Sequence, residues 1–424
     1  MIFVDVSKFE ETDFDFDFFD IERIIFFTVT KIEKKNFFKG KKVVVLPSVG
    51  EKEFENQSFK QLNKASYIFS SLVHDLNIPL LFERSVKWPF GTGLKSIELR
   101  ALILKCIDIV DKHNPTSVWF YATPHNVSSY VFEFVLRCYN IKVFYLTESP
   151  FDWRFRLILV DGNYLKSISS EEKWNSIDKK KYVKLCDRIQ RLEPHVLLAK
   201  EKKESNNMTF NFSRELFTYW RRPDLILNKF LCFQRYKKLN VKQSFLSLQP
   251  YILFALHYQP ERSTLPDGQE YVDQLRALYE LRSIMPSNIN ILVKEHPSTF
   301  NHTCHWLTRS PRLYNHIDNL PSTYLLPIET DLGPVLKQAI GAASINGSIC
   351  LESAILRKKG LHFCENRFFE DESPYLSLFN HADPCSFEEV KHAEGEVFNL
   401  SLIAERTFSA TPNTILSKED FRKH

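Results

Sequence analysis

The chain has 424 residues, 44% of them hydrophobic and 25% charged, with a formal net charge of +4 at pH 7. A chain this long exceeds the size at which one hydrophobic core stops growing, so these totals predict a globular protein of two domains. The small net charge excludes a strongly basic protein of the kind that binds nucleic acid, and we expect no nucleic-acid partner.

The eight cysteines are scattered without a C-x-x-C pair, and Cys106 lies inside the apolar segment ALILKCIDIV. This pattern predicts reduced, buried thiols and a cytoplasmic protein rather than a disulfide framework. The first residues lack a basic stretch followed by an apolar one, and no run reaches 18 consecutive apolar residues. We therefore expect neither a signal peptide nor a membrane-spanning helix.

Strands and helices alternate in the first 164 residues. Short apolar runs predict strands, and apolar residues at helical spacing predict helices. The predicted strands cover residues 42–47, 78–83, 117–125 and 141–149, and the predicted helices cover 58–77, 96–114 and 127–140. This alternation is typical of a parallel sheet, so residues 1–164 are predicted to form a Rossmann-like domain on the acceptor side.

Between residues 165 and 245 the pattern changes to helical segments rich in Lys and Arg, such as EEKWNSIDKKKYVKLCDRIQRLE. We predict a helical connector there. A basic amphipathic helix can lie on an anionic membrane, but a run of charges is more often a solvated face. Peripheral contact with the inner face of a membrane therefore stays an alternative for this connector.

Alternation resumes at residue 251. Strands are predicted at 251–257, 288–297, 322–327, 342–347 and 360–364, and helices at 270–285, 331–340 and 348–359. The strand at 360–364 is predicted to be the final one. Residues 246–395 are therefore predicted to form a second Rossmann-like domain, which binds the nucleotide. Residues 396–424 are predicted to be a tail that packs back on the first domain.

Three clusters of polar residues follow strands of this second domain. They are His257-Tyr258-Gln259-Pro260-Glu261, Lys294-Glu295-His296-Pro297 and Asn346-Gly347-Ser348. Ligands of open α/β sheets bind beyond the carboxyl ends of the strands, so these clusters are expected to meet at one crevice. Each cluster is a weak signal alone, and their recurrence at successive strand ends is the stronger one.

The second and third clusters carry groups suited to an anion. Lys294 and His296 can both meet a phosphate, and Pro297 fixes the turn between them and the next segment. Gly347 permits a tight turn, and Ser348 can cap the following helix, whose free N–H groups face an anion. The simpler interpretation of Ser348 is an ordinary helix cap.

The segments LHYQPERST, VKEHP and INGSICLESA together resemble the bacterial capsule and surface polysaccharide biosynthesis proteins, a family that includes transferases of Kdo from CMP-Kdo. FYATPHNVSSYVFEFVLRCYNIKVFYL resembles the N-terminal half of that family, so the likeness covers most of residues 40–370. It implies an α/β protein of the GT-B type, with two Rossmann-like domains whose parallel sheets face a cleft. It also implies a nucleotide-sugar donor, no obligatory metal and no other cofactor.

The resemblance assigns roles to individual residues. Lys294, His296 and Pro297 fall on the family's K-x-H-P motif, whose His contacts the nucleotide phosphate. Asn346, Gly347 and Ser348 fall on a turn that faces the same phosphate, and Glu352 falls on the acidic position of the helix after it. The predicted donor-binding residues are Gln259, Glu352 and the residues of these two motifs.

The chain departs from the family at one position. The retaining Kdo enzymes carry Q-x-x-x-D before the K-x-H-P strand, and here Gln259 is followed by Ser263 where that Asp stands. Glu261 is our candidate for the missing carboxylate near the anomeric carbon. Glu148, in YLTESP, is the candidate base from the first domain, and His257 is a third catalytic candidate.

Other clusters suggest sites that we rank lower. Asp13, Asp15 and Asp17 have D-x-D spacing, but their alternation with Phe indicates a half-buried strand rather than a metal site. The segment HTCH holds His302, Cys304 and His305 without a second ligand pair, which favours a surface loop over a zinc site. No metal site is therefore predicted.

His125 closes a strand of the first domain. It is equally consistent with acceptor binding and with a structural role.

The sequence thus predicts a cytoplasmic, metal-independent glycosyltransferase. Its donor would be a nucleotide sugar, with CMP-Kdo or a related acidic CMP-sugar preferred. Its acceptor would be a growing surface polysaccharide or glycolipid. The alternatives are a polyol-phosphate transferase or sugar-nucleotide epimerase on the same scaffold, and a non-catalytic partner in polysaccharide assembly or export.

Overall fold

A computed structural model describes the protein at residues 2–5, 24–28, 43–47, 58–72, 74–75, 77–85, 92–149, 151, 153–161, 164–169, 173–192, 223–239, 250–259, 261–296, 298–301, 309–364, 373–379, 397–405 and 407–409. Contacts within the chain divide it into two compact units. The first unit is Met1–Lys173 with Ile403–His424, and the second is Trp174–Leu402.

The first unit is an α/β structure. Its elements up to the unit boundary are β1 (Ile2–Asp5), β2 (Ile24–Thr28), β3 (Val43–Val45), α1 (Phe59–Leu72), α2 (Asn77–Ser85), α3 (Thr92–His113), β4 (Ser117–Phe120), α4 (Val127–Cys138), β5 (Lys142–Glu148), β6 (Arg154–Asp161) and β7 (Tyr164–Ser167).

The second unit is also an α/β structure, and a short strand beyond it returns to the first unit. The elements are α5 (Ser176–Gln190), α6 (Pro223–Leu239), β8 (Tyr251–Ala255), a 3-10 helix (Gln269–Val272), α7 (Gln274–Ile284), β9 (Asn290–Lys294), α8 (Ser298–Asn301), α9 (Pro311–Asp318), β10 (Thr323–Leu325), α10 (Leu332–Gln338), β11 (Gly341–Ser344), α11 (Ile349–Ile355), β12 (Lys359–His362), β13 (Leu376–Leu378), α12 (Leu400–Glu405) and β14 (Phe408–Ser409).

The sheet of the second unit has the strand order β10-β9-β8-β11-β12-β13, and every pairing in it is parallel. Numbered along the chain this is the order 3-2-1-4-5-6 of dinucleotide-binding folds. The direction of winding reverses between β8 and β11. In open α/β sheets the crevice beyond the strand ends at this switch point is where ligands bind.

Strand β8 lies at the centre of that sheet and is buried on both faces. Tyr251, Ile252, Leu253 and Phe254 are each 0% exposed. An all-parallel sheet covered on both sides favours such a continuous apolar run over an alternating one. The run thus fixes β8 in the core, and the residues after Ala255 emerge at the switch point.

The sheet of the first unit has the order β14-β6-β5-β4-β1-β2-β3, with β7 also paired to β6. Strands β1 to β5 are parallel and repeat the order 3-2-1-4-5, whereas β6 is antiparallel to β5, β7 and β14. The prediction of an α/β fold with two Rossmann-like units is confirmed. The parallel sheet predicted for the first half carries an antiparallel edge that we did not predict.

Some predicted elements differ from those of the structure. Residues 78–83, predicted as a strand, lie within helix α2, where Pro79 stands in the first turn, a position that tolerates its missing N–H. Residues 360–364 were predicted as the final strand, but β13 follows and extends the sheet. Strands β1, β2, β6, β7 and β14 were not predicted.

Helix α6 comes from the predicted connector but packs within the second unit. Its Cys232, Phe233 and Tyr236 are buried in the apolar core of that unit. The ring of Tyr236 lies 5.3 Å from that of Tyr314 on α9 and 5.4 Å from that of Phe300 on α8. This packing places α6 beside the elements that carry the candidate site.

The connector's membrane contact stays a prediction. Among the described residues, no helix combines the length and apolar character that crossing a bilayer requires.

Candidate functional site

His257 leaves the end of β8 and meets the end of β11 across the switch point. The backbone N–H of Asn346 donates to His257 Nε2 at 3.1 Å, and Ser344 Oγ lies 3.0 Å from the same nitrogen. Because a backbone amide can only donate, Nε2 is the unprotonated nitrogen and Nδ1 carries the proton. Ser263 Oγ lies 3.3 Å from Nδ1 and can accept it. The imidazole therefore ties the loop after β11 to the loop after β8.

Gly347 allows these groups to approach. A Cβ atom at this position would lie 2.6 Å from Ser344 Oγ and 3.5 Å from His257 Cε1. The first distance is shorter than real contacts of this kind allow, so any other residue here would displace Ser344. The tight turn that the sequence suggests at Gly347 stays a prediction, and the close approach to Ser344 is what the structure adds.

Asn346 has an unusual side chain. It is 4% exposed, and its Oδ1 is buried without a hydrogen-bond partner among the residues that the structure describes. A buried polar atom without a partner costs about 1–3 kcal/mol. Such an atom in a native structure calls for an explanation, and a ligand or an ordered water that completes its bonding is one. The loop after β11 thus carries a side-chain amide oxygen to which no described residue donates a hydrogen bond.

Ser348 is the N-cap residue of α11, but its side chain makes no capping hydrogen bond. The expectation that its hydroxyl caps the helix was wrong. The residue has helical backbone angles, φ −60° and ψ −16°, which differ from the extended angles typical of a capping residue. Its exposed hydroxyl remains available at the crevice, and Glu352 follows one turn later on α11.

Glu261 lies beyond Gln259 on the loop from β8 and is exposed. Its Oε2 accepts a hydrogen bond from Ser263 Oγ at 3.3 Å, and Ser263 in turn contacts His257. Arg262 forms an ion pair with Asp267 at 3.4 Å. Ser263 therefore links the Glu261 carboxylate to the His257 imidazole at the switch point.

Glu295 and Arg309 form a buried ion pair beneath the loops, with Arg309 Nε 2.9 Å from Glu295 Oε2. Arg309 Nη2 also donates to Glu295 Oε1 at 3.0 Å and to the carbonyl of His257 at 2.7 Å. Its Nη1 donates to Gln259 Oε1 at 3.0 Å. The pair thus links the loop after β9 to the loop after β8.

Gln259 makes structural hydrogen bonds in this arrangement. Its Oε1 accepts from Arg309, and its Nε2 donates to the carbonyl of Val272 at 2.6 Å. The residue is 4% exposed. The donor-binding role predicted for Gln259 stays a prediction, and these contacts show how the side chain is held.

Lys294 and His296 lie at the end of β9 but are placed differently. Lys294 is buried, and its Nζ donates to the carbonyl of Ile328 at 2.6 Å and to that of Glu295 at 3.3 Å. His296 is half-buried, with its ring 5.8 Å from that of Tyr258. These contacts leave His296 nearer to solvent than Lys294.

Sequence reasoning singled out His257, His296, Asn346 and Gly347 but missed Arg309. No local signal marks Arg309, because it stands 50 residues after Gln259 and belongs to no motif. Glu295 was noted only as the middle residue of Lys294-Glu295-His296. An acidic residue directly after a buried strand was the available signal, because such a group needs a buried partner.

The candidate site residues of the first unit lie at the carboxyl ends of β4 and β5. His125 lies in the loop after β4, where its Nδ1 is 3.2 Å from the carbonyl of Thr123. It directly precedes Asn126, whose side chain caps α4 by accepting from the backbone N–H of Ser129 at 3.1 Å. Glu148 is the last residue of β5, and its side chain lies outside the described part of the structure.

Several other candidates lie outside the described residues. They are Pro297, the three acids Asp13, Asp15 and Asp17, and the group His302, Cys304 and His305. Within the ranges that the structure does describe, no three His, Cys, Asp or Glu side chains are arranged to hold a metal ion.

Comparison with known proteins gives a likeness in three dimensions alone. No protein-family model matches the sequence, and no curated protein matches it. The similar solved structures include UDP-GlcNAc 2-epimerase from Methanocaldococcus jannaschii, with 12% identity and a TM-score of 0.25, over 100% of this chain and 98% of that one.

Two further solved structures are also similar to this chain. The beta Kdo 2,4 transferase KpsC of Thermosulfurimonas dismutans is 12% identical, with a TM-score of 0.31, over 69% of this chain and 79% of that one. UDP-GlcNAc 2-epimerase from Neisseria meningitidis is 10% identical, with a TM-score of 0.22, over 87% of this chain and 84% of that one. At these values the similarity identifies neither a substrate nor a reaction.

Proposed function

We propose that this protein is a glycosyltransferase of the GT-B type that uses a nucleotide-activated sugar, bound at the switch point of its second unit. One observation carries the proposal. The ends of β8 and β11 meet there through His257 and the Asn346 N–H, beside the side-chain Oδ1 of Asn346, which has no hydrogen-bond partner among the described residues. A phosphorylated nucleotide is the ligand class that strand order 3-2-1-4-5-6 holds at this position.

The chemistry available at the loops suits the departure of a nucleotide. As the glycosidic bond breaks, negative charge grows on the leaving phosphate. His296 and the backbone donors around Gly347 are placed at strand ends where they can offset that charge. Removal of one preorganised donor of this kind typically costs about 2.7–4 kcal/mol of transition-state stabilisation.

The donor and acceptor are proposed from the sequence motifs. The resemblance to surface polysaccharide proteins favours a CMP-sugar such as CMP-Kdo and a polysaccharide or glycolipid acceptor. Glu261 is proposed to act near the anomeric carbon, because Ser263 replaces the family's Asp and itself hydrogen-bonds to Glu261. Glu148 is proposed as the base from the first unit, and His125 as an acceptor-side residue.

The test is a panel of CMP-, UDP- and GDP-sugars incubated with the purified protein, with and without a polysaccharide acceptor. Release of free nucleotide together with a lengthened acceptor is the expected result. Conversion of the sugar to its epimer, with the nucleotide still attached, would assign a sugar-nucleotide epimerase instead. Binding of polysaccharide with no turnover of any donor would contradict an enzymatic role.

A further inference from the structure

We propose that the buried pair Glu295–Arg309 is the positioning device of the donor site, holding the loops after β8 and β9 in the geometry that binds the nucleotide. This inference rests on the proposed function, because it concerns the same site. Neither residue is proposed to touch the donor. Both are proposed to act through the groups that they hold.

Glu295 organises the loop after β9. Its carboxylate is 0% exposed and accepts hydrogen bonds from the backbone N–H of His296 at 2.8 Å and from Thr299 Oγ1 at 3.1 Å. These bonds fix the backbone on both sides of the turn into α8. The half-buried ring of His296 is therefore presented from a backbone that a buried charge holds in place.

Arg309 organises the loop after β8. Its guanidinium donates two hydrogen bonds to Glu295, one to the His257 carbonyl and one to the Gln259 carboxamide. A planar guanidinium binds several acceptors in fixed directions, whereas a lysine ammonium does not reproduce that geometry. His257 is in turn the residue that binds the Asn346 N–H. One side chain thus connects β9 to the switch point through a continuous set of hydrogen bonds.

The pair is supported from two further elements. Tyr314 on α9 donates from its hydroxyl to Glu295 Oε2 at 2.9 Å, and Asn228 on α6 donates to the carbonyl of Arg309 at 2.8 Å. Burial raises the pKa of the Tyr314 hydroxyl well above its usual range, so it remains a hydrogen-bond donor. The two loops are therefore tied to the packed helices behind them.

Stability alone does not account for this arrangement. Burial opposes the charge on Glu295, and Arg309, as the nearest cation, still holds the pKa of that carboxyl below its usual range. A buried ion pair is nevertheless often no more stabilising than apolar residues of the same volume. What an apolar replacement would lose is the fixed direction of the hydrogen bonds to His296, His257 and Gln259.

The test compares Arg309→Lys with Arg282→Lys. Arg282 is also buried, and it donates to the carbonyls of Met285, Pro286 and Ile289 at 2.7 to 2.8 Å. It lies at the end of α7, before the amino-terminal end of β9, whereas the site follows the carboxyl end of that strand. The two substitutions thus make the same chemical change in the same unit, and only one of them reaches the site.

Two measurements are made at a temperature where both variants are folded. The first is hydrogen exchange of the peptides that contain His257 and His296, without ligand. The second is the Kd of the nucleotide that the wild-type protein binds. We expect Arg309→Lys to accelerate exchange in both peptides and to raise the Kd at least about tenfold, with Arg282→Lys near wild type.

Equal exchange in the two variants would overturn the proposal, and so would equal Kd values. If the wild-type protein binds no nucleotide, the proposed function fails, while hydrogen exchange still decides whether the pair holds both loops. If Arg309→Lys does not fold, Tyr314→Phe removes one hydrogen bond to Glu295 and is compared with Tyr251→Phe, whose hydroxyl bonds the Val335 carbonyl. We then expect the same two changes, at smaller size, for Tyr314→Phe alone.

Discussion

At the scale of single residues, Gly347 is a position of the site where a side chain has no room. Gly347→Ala places a methyl group 2.6 Å from Ser344 Oγ, so Ser344 or the loop must move. The displaced loop carries the Asn346 N–H that His257 accepts. We expect the Kd for the nucleotide to rise at least about tenfold, since small displacements of positioned groups are costly. Titration calorimetry measures this directly.

Gly333→Ala is the matched control for that substitution. Its added methyl group would lie 2.9 Å from Leu192 Cβ, a similarly tight contact in the same unit but at a residue outside the three motifs. It should lower stability without changing the Kd for the nucleotide. If both variants lose affinity equally, the effect of Gly347→Ala is general destabilisation and not a property of the site.

Glu261→Gln tests the proposed carboxylate. The change keeps the shape and the hydrogen bond with Ser263, and it removes the charge. Turnover should fall at least about a hundredfold, as is typical for the loss of an acid–base group, while donor binding stays near the wild-type value. Glu270→Gln, at an exposed position of the same unit, should leave both unchanged. Retention of most turnover by Glu261→Gln would make the carboxylate structural.

The site residues could be predicted only where a local pattern reports on the fold. His257, Asn346 and Gly347 follow buried apolar runs, and parallel strands deliver their ends to one edge. Arg309 has no such pattern, because the groups that its guanidinium binds are 14 to 52 residues away along the chain. The orphaned oxygen of Asn346 likewise depends on what surrounds it in the fold.

At the scale of elements, helix α4 packs a carboxylate against strand β5. Glu133 is 4% exposed, and it hydrogen-bonds to the hydroxyl of Tyr145. Burial raises the pKa of Glu133, although Arg137, 3.1 Å away, opposes that rise. The folded protein therefore binds the Glu133 proton more tightly than the unfolded chain does. Ionisation of Glu133 therefore lowers the free energy of unfolding. This loss grows as the pH rises above about 4.3, the pKa of a glutamate in the unfolded chain.

Glu133→Gln should remove that cost. We expect its free energy of unfolding to exceed that of the wild type at pH 7, with the difference shrinking toward zero as the pH falls to about 4. Urea unfolding at several pH values measures the difference. A variant that is less stable than the wild type at pH 7 would show that the ion pair with Arg137 outweighs the burial of the charge.

The elements that the sequence failed to predict have identifiable causes. Residues 78–83 form a short apolar run, which periodicity alone cannot distinguish from a buried helix turn. Strand β6 carries Arg154 and Arg156, whose charges resemble an exposed face, yet both are buried. Arg154 is satisfied by the hydroxyl and carbonyl of Thr407 at 2.6 and 2.9 Å, a partner 253 residues away.

At the scale of the whole molecule, both sheets follow the same winding order through their first five strands. The alternation of strand and helix was enough to predict this class, because only a parallel sheet accommodates it. The place of β14 at the antiparallel edge of the first sheet could not be predicted, since this strand comes from the other end of the chain. The cleft between the two units stays a prediction.

Independence from metal is a prediction for the whole chain, because ligands for a hard cation converge from several segments. The charge on the leaving phosphate is proposed to be offset by side chains and backbone donors, a role that metals take in other enzymes. Nucleotide release should therefore be unchanged in EDTA. Loss of release in EDTA, with recovery on adding magnesium or manganese, would show that a metal takes part.

Thermal melting of the wild type and Asn346→Ala, with and without CMP, UDP or GDP, tests the nucleotide site most directly. A ligand at a hundred times its Kd adds about 2.7 kcal/mol of stability, so one nucleotide should clearly raise the wild-type Tm. Removing a buried oxygen that has no partner should leave the ligand-free Tm of Asn346→Ala close to that of the wild type, while the nucleotide-induced rise is largely lost. A wild-type Tm that no nucleotide raises, or an equal rise in Asn346→Ala, would contradict a nucleotide site at the switch point.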